Sequence, residues 1–157
     1  MKLKHPKINF IYYKSKVLTG SMKTDKHEEV LREIMEEIET SLKDSRGLVF
    51  HQRRLAFSLS LGSTSLLEIY LHKLNILKEG SQINHLWFRK KKESILKQLQ
   101  NQVTSPINSV ESIEKIIDLI VKIEDKRDIL AYGAPASESI LQEKITLFFQ
   151  LKELLKC

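Results

Sequence analysis

Residues 46–68 read RGLVFHQRRLAFSLSLGSTSLLE, and this stretch indicates the class of fold. From Leu55 onward its apolar side chains recur every three or four residues, as on the buried face of a helix, with almost none of the strict alternation of a half-buried strand. Gly62-Ser63 predicts a break, and Ser65 followed by Glu68 has the spacing of a capping box. The stretch therefore predicts two consecutive helices, one over about 50–61 and one that opens at Ser65.

The sequence before this stretch continues the helical pattern. Asp25 followed by Glu28 resembles another capping box, and Arg46-Gly47 interrupts the run that it opens. The apolar residues between these points form a stripe at helical spacing: Val30, Leu31, Ile34, Ile38 and Leu42. The lysine-rich residues 1–22 stand outside the pattern and are predicted to form a basic N-terminal arm, with a short strand around the apolar island Ile8 to Tyr13 as the alternative.

The sequence after it predicts three further helices. A basic helix is expected from Asn84 to Gln100, another over 109–126, and a last one from about Ser139, after a break at Gly133 and Pro135. The inward residues of the second of these are expected to be Ile113, Ile116, Ile117 and Ile120. We therefore predict one all-α domain over residues 23–157.

Composition limits the possible functions. The chain has 157 residues and 41% hydrophobic residues, enough for a core. No apolar run approaches the roughly 20 residues of a membrane span, and no signal peptide is visible, so a cytoplasmic protein without membrane contact is expected. Cys157 is the only cysteine, which excludes a disulfide framework and an iron–sulfur cluster or Cys-based zinc site held by this chain alone. The scattered histidines indicate no metal site.

The net charge of +6 is unevenly distributed. Residues 1–22 carry five basic and no acidic residues, and residues 23–45 carry four basic and eight acidic ones. Residues 46–100 carry ten basic and three acidic residues, whereas residues 101–157 carry seven and nine. This pattern favours a polyanion-binding face beside an acidic helix, with an ordinary solvated surface as the alternative.

The first candidate site lies at the beginning of the decisive stretch. His51, Arg53 and Arg54 fall in the expected first helical turn, where free backbone N–H groups and the helix dipole favour an anion. Two guanidinium groups and an imidazole would add charge-assisted contacts to phosphate, and Arg46 is close enough in sequence to contribute. The alternative is that Arg53 and Arg54 pair with the acidic helix of residues 28–44.

A second candidate site lies in the segment NHLWFRKKK at residues 84–92. Aromatic rings beside cations suit single-stranded nucleic acid, because bases stack on the rings and phosphates meet the cations. Trp87, Arg89 and Lys90 are the residues predicted to make these contacts. The alternative is that Trp87 belongs to the core and the lysines form a solvated helix end.

The pattern H-x-x-R-L-x-F-x-L resembles the C-terminal domain of the primase large subunit. His51 and Arg54 match the family's His and Arg, and Phe57 matches its aromatic residue. The expected glycine-containing turn and the helix opened at Ser65 and Glu68 match the next part of the family's pattern. Two further basic or histidine positions of the family are Leu48 and Phe50 in this chain, which is a departure from that pattern.

A second, supporting match is the segment Tyr132-Gly133-Ala134-Pro135, which resembles the family's Gly-Cys-Pro segment. Ala134 stands where the family has a cysteine ligand of its iron–sulfur cluster. The resemblance covers roughly residues 25–155 and implies a relative that has lost the cluster.

The resemblance implies a non-catalytic accessory subunit of an archaeal DNA primase. It would bind the triphosphate of the initiating nucleotide through His51, Arg54 and their basic neighbours, and promote primer initiation with the catalytic small subunit and the large subunit. Single-stranded DNA template would be a further partner. Mg²⁺ or Mn²⁺ is expected only in the catalytic partner, and no cofactor is expected in this chain.

Two other functions fit parts of the sequence. Residues 127–132, RDILAY, have the spacing of the HEPN ribonuclease signature, with Tyr132 in place of its histidine. Without that histidine, a HEPN-like ribonuclease has no evident general acid or base, so an inactive relative is included in this alternative. The other alternative is a helical protein-binding adaptor without a nucleotide site.

Overall fold

Helices account for nearly all regular structure in residues 22–156, the part of the chain that this computed structural model describes. The α-helices are α1 (Met22–Lys43), α2 (Gln52–Lys73), α3 (Lys92–Gln100), α4 (Ile113–Glu124), α5 (Arg127–Tyr132) and α6 (Glu138–Leu154). Short 3₁₀ helices cover Leu48–His51, His85–Arg89 and Ile107–Ser109. Extended pairing in this part of the chain is limited to one isolated bridge, between Leu77 and Val103. The all-α prediction is confirmed.

The core surrounds α2, which contacts α1, α4, α5 and α6. Leu55, Leu66, Leu67 and Leu71 of α2 are fully buried. Burying a leucine side chain contributes about 1.5–3 kcal/mol, so this central helix holds the others around it. The four isoleucines predicted to face inward from α4 are buried as well.

The predicted break at Gly62-Ser63 is wrong, because α2 continues through both residues to Lys73. The packing leaves no room for a side chain at position 62. A Cβ atom built on Gly62 would lie 2.7 Å from Cε2 of Phe148 in α6 and 3.1 Å from Cδ1 of Ile34 in α1. The Ser63 hydroxyl donates to the carbonyl oxygen of Leu59 over 2.7 Å. Close approach of two neighbouring helices, rather than a turn, thus explains the small residues.

Glu68 is also not a capping residue. It is buried in the second turn from the end of α2, and its Oε1 accepts a hydrogen bond from the backbone N–H of Ile83 over 2.6 Å. Its Oε2 lies 2.5 Å from Nε2 of His27 on α1. The carboxylate therefore joins α2 to the loop after it and to α1.

Other helix boundaries also differ from the predictions: α1 begins at Met22, ahead of the expected cap Asp25, and α4 covers Ile113–Glu124 and not 109–126. The basic helix expected from Asn84 is divided into the 3₁₀ helix His85–Arg89 and α3, with extended backbone at Lys90 and Lys91 between them. The division places Phe88 in the core. The last helix begins at Glu138, because the cap is Ser137, whose hydroxyl accepts from the N–H of Ile140 over 3.4 Å.

The predicted basic arm lies outside the described residues except for Met22, which is the first residue of α1. Cys157 also lies outside them. None of the described helices combines the length and the apolar character that crossing a membrane requires.

Candidate nucleotide and nucleic-acid interface

His51 is buried beneath the surface, with 2% of its side chain exposed. Its Nε2 lies 2.8 Å from Oδ2 of Asp44, and Nη2 of Arg54 lies 2.7 Å from its Nδ1. Nδ1 also lies 3.3 Å from Oε1 of Glu37, and it cannot accept from Arg54 and donate to Glu37 at once. With the shorter Arg54 contact made, Nδ1 accepts from that guanidinium group, which can only donate, and Nε2–H donates to Asp44. The imidazole thereby connects the end of α1 to the first turn of α2 and holds Arg54 from behind.

Arg54 and Arg46 are each paired with a carboxylate but stay accessible. Nε of Arg54 lies 3.2 Å from Oε1 of Glu37, yet 58% of the Arg54 side chain is exposed. Arg46 makes a two-pronged contact with Asp44, with Nε 3.0 Å from Oδ1 and Nη2 2.6 Å from Oδ2. Hydrogen bonds from Arg46, aided by the one from His51, hold the pKa of Asp44 well below its usual range. The predicted alternative, pairing with the acidic helix, is therefore present for Arg54.

Arg53 differs from both, because it is exposed and has no ion-pair partner anywhere in residues 22–156. It stands between two exposed aromatic rings, Phe50 one turn before it and Phe57 one turn after it. Of the four basic residues predicted for this site, Arg53 is thus the one whose charge is left for a ligand.

A third ring completes this surface. Tyr132, at the end of α5, is 70% exposed and packs edge to face on Phe57, with 5.7 Å between ring centroids. We call the surface formed by Phe50, Arg53, Arg54, Phe57 and Tyr132 the aromatic–arginine face. Two further arginines add positive charge to this face. The guanidinium group of Arg46 lies over the Phe50 ring, 3.6 Å from its centroid, and that of Arg127 lies over the Phe57 ring, 4.6 Å from its centroid.

The sequence predicted the arginines of this face but did not place its three rings among the site residues. The available signal was the spacing of Phe50, Arg53, Arg54 and Phe57, which puts them on one side of a helix. Tyr132 could not be found in that way, since it is 75 residues from Phe57 in the sequence. Only the packing of α5 against α2 brings these two rings together.

The second predicted site is organised around a buried carboxylate. Arg89 donates to Oε1 of Glu124 from Nε and Nη2 over 3.1 and 2.9 Å, and it also pairs with Asp128 over 2.8 Å. Glu124 in addition accepts from Ser60 over 2.6 Å and lies 2.8 Å from Nδ1 of His85. The guanidinium group of Arg89 thus compensates buried negative charge.

Trp87 and Lys90, the other two residues predicted for this site, differ in how far they are exposed. Trp87 is half-buried and packs against the core, in line with the structural alternative, whereas Lys90 is exposed. Hydrogen bonds from Arg89, and secondly from Arg127, hold the pKa of Asp128 well below its usual range. Of the three predicted residues, Lys90 is the one that remains at the surface without an ion pair in the described part of the chain.

Arg127 stands at the first position of α5. Its Nη1 lies 2.8 Å from Oδ1 of Asp128, while its guanidinium group covers Phe57. The segment Arg127–Tyr132 thus contributes to the aromatic–arginine face. Within residues 22–156, no group of three or more His, Cys, Asp or Glu side chains is arranged to hold a metal ion.

Comparison of the chain with models of known protein families gave no match, and comparisons with curated proteins and with solved structures gave no significant similarity.

Proposed function

We propose that this chain is a non-catalytic accessory subunit of an archaeal DNA primase, similar to PriX, the small third subunit of crenarchaeal primases. It binds the phosphates of the initiating nucleotide through Arg53 and Arg54, with Arg46 beside them and His51 holding Arg54 in place. The catalytic small subunit supplies the metal ions and carboxylates that join the second nucleotide, and the large subunit completes the complex.

The observation that carries the proposal is the position of Arg53 and Arg54 in the first turn of α2. Both guanidinium groups are exposed, and Arg53 has no ion pair within the described residues. The helical path begins one turn earlier, at Leu48, and the N–H groups of Leu48 and Val49 already donate to the carboxylate of Glu138. The donors that the proposal uses are therefore the two guanidinium groups, whose planar shape matches phosphate oxygens. A triphosphate has enough oxygens and charge to meet both of them.

The likeness to the primase family supports the proposal over the His–Arg part of α2. The continuous course of α2 through Gly62 departs from the family's turn, so the second half of the helix adds no support. Holding the initiating nucleotide next to the catalytic subunit would remove much of the entropy cost of joining two free nucleotides. This positioning is the contribution that a subunit without catalytic residues can make.

The proposal predicts that ATP binds more tightly than adenosine and that an Arg53→Ala/Arg54→Ala variant loses this preference. Each charge-assisted hydrogen bond contributes about 1.5–3 kcal/mol, so we expect at least a tenfold loss of ATP affinity, measured by calorimetry. Arg32→Ala is the matched control, because Arg32 is an exposed arginine on α1. Equal affinity of the wild-type chain for adenosine and ATP would refute phosphate recognition.

The same variant tests the role within the complex. In a primase reconstituted with its small and large subunits, the variant should impair initiation from free nucleotides and leave extension of a preformed primer largely intact. Extension does not require the initiating triphosphate to be held, because base pairing already places the primer terminus. An equal loss of both activities in a normally folded variant would show that these arginines do not act in initiation.

A further inference from the structure

The aromatic–arginine face exposes more aromatic surface than phosphate binding requires. Tyr132 is 70% exposed, Phe50 55% and Phe57 36%. The guanidinium groups of Arg46 and Arg127 lie over the rings of Phe50 and Phe57, so a base can stack only on the other face of each ring, and Tyr132 packs edge to face on Phe57. Exposed aromatic rings next to arginines are the arrangement on which nucleic-acid bases stack. The face therefore provides two kinds of contact, one for phosphates and one for bases.

The spacing of the rings indicates the size of the ligand. Phe50 and Phe57 are seven residues apart along a helical path, which corresponds to about 10 Å along the axis. The base of one nucleotide can stack on only one of these positions. Arg53 and Arg54 project between the two, where the backbone of a strand that reaches both rings would pass.

The charge of the surroundings favours a polyanion over a protein partner. Residues 46–67 contain three arginines and no acidic residue. Three carboxylates that border the face are already paired: Glu37 with Arg54, Asp44 with Arg46 and His51, and Asp128 with Arg89 and Arg127. A bound ligand would thus meet the unpaired charge of Arg53 without a competing carboxylate from these pairs.

We propose that the aromatic–arginine face binds single-stranded nucleic acid, with bases stacked on Phe50 and on the Phe57–Tyr132 pair and phosphates at Arg53 and Arg54. A strand and a free triphosphate would therefore compete for these two arginines. The inference rests on the proposed function for the phosphate-binding role of the two arginines, whereas the stacking role of the rings is independent of it. It assigns strand contact to α2 and α5 in place of the segment around Trp87 and Arg89.

The test is fluorescence anisotropy of a short labelled oligothymidylate with the full-length chain. Stacking on one ring is worth enough that Tyr132→Ala and Phe57→Ala should each weaken binding at least about fivefold, while Tyr132→Phe, which keeps the ring, should bind like the wild type. Arg53→Ala should make the slope of log affinity against log salt shallower by about 0.7, the value for one phosphate contact on a single strand.

Phe149→Ala is the matched control, because Phe149 is a phenylalanine of similar exposure (38%) on α6. It should leave oligonucleotide binding unchanged. Melting curves of every variant check folding. If Phe57→Ala destabilises the core, the test of base stacking is made with Tyr132→Ala alone. Absence of oligonucleotide binding by the wild type, wild-type binding by Tyr132→Ala, or an equal loss in Phe149→Ala would overturn the proposal.

The two proposals fail in different ways. If oligonucleotide binding depends on Tyr132 while ATP binding ignores Arg53 and Arg54, the initiation role is wrong and the strand site stands. If ATP binding needs the arginines and oligonucleotide binding ignores Tyr132, the strand site is wrong and the initiation role stands.

Discussion

The imidazole of His51 affects the surface although it is itself buried. It accepts from Arg54 and donates to Asp44, so its contacts fix the direction in which the Arg54 guanidinium group leaves the first turn of α2. A nucleotide at the surface would meet Arg54 rather than the imidazole. We therefore infer that His51 acts as a positioning residue for Arg54.

Arg89 is the residue for which the sequence and the structure suggest different roles. In the structure it compensates the buried carboxylate of Glu124, so Arg89→Ala should lower the free energy of unfolding. We expect a loss of about 2 kcal/mol, which is below the roughly 3–5 kcal/mol of a fully buried broken pair because Arg89 is itself partly exposed to water. Chemical denaturation followed by circular dichroism measures it.

Lys90→Ala is the control for that experiment, since Lys90 is an exposed neighbour outside the ion-pair network. It should leave stability within about 0.5 kcal/mol of the wild type. If Arg89→Ala keeps full stability and weakens oligonucleotide binding instead, the role predicted from the sequence is the correct one.

At the scale of the elements, α2 determines where both the core and the candidate site lie. Five of its six leucines are buried, Leu61 being the exposed one, while Arg53, Arg54 and Phe57 remain accessible in its N-terminal half. The interior run Gly62-Ser63-Thr64-Ser65 has weak helix propensity, and tertiary packing overrides it. Such a helix depends on its neighbours for stability.

Gly62→Ala tests this packing. In an exposed helix interior, replacing glycine with alanine stabilises by about 1 kcal/mol, but here the new methyl group would lie 2.7 Å from Phe148. Overpacking of this kind costs about 1–3 kcal/mol, so we expect a lower melting temperature. Ser58→Ala, at a half-buried position of the same helix, is the control and should change the melting temperature little. A stabilised Gly62→Ala variant would show that α6 does not approach α2 this closely.

At the scale of the whole molecule, the uneven charge of the sequence becomes a set of ion pairs between segments. Asp44, after α1, is paired with Arg46 and His51, and Asp128, on α5, is paired with Arg89 and Arg127. These two aspartates are thus neutralised where elements meet, whereas the aromatic–arginine face keeps the unpaired charge of Arg53. A net charge of +6 and this local excess both favour contact with a polyanion.

These pairs predict how stability depends on pH. The pKa values of Asp44 and Asp128 in the folded protein lie well below the usual 3.8, so below about pH 4 the unfolded chain binds protons that the folded one does not. The stability that both carboxylates contribute is present above that pH and is lost as the pH falls further, through the folded pKa values. Melting curves between neutral pH and pH 2 should therefore show a falling melting temperature at the acid end.

An Asp44→Asn/Asp128→Asn variant separates these carboxylates from the other acids. This double variant should have a lower melting temperature than the wild type at neutral pH. Its melting temperature should then fall less than that of the wild type between neutral pH and pH 2. Glu111→Gln, which changes an exposed carboxylate with no ion pair within residues 22–156, should show the acid dependence of the wild type. An equally steep acid loss in the double variant would contradict the assignment.

The sequence by itself determined the all-α class, the approximate positions of α1, α4 and α6, and the cluster of arginines before and within the first turn of α2. Each of these depends on helical periodicity, capping residues and local charge, which involve residues only a few positions apart. Only the tertiary structure decided that α2 runs unbroken through Gly62, that Arg89 faces Glu124, and that Tyr132 packs edge to face on Phe57. The contacts of Gly62 with Phe148, of Arg89 with Glu124 and of Tyr132 with Phe57 join residues 86, 35 and 75 positions apart, and they exist because packed helices bring such segments within a few ångströms.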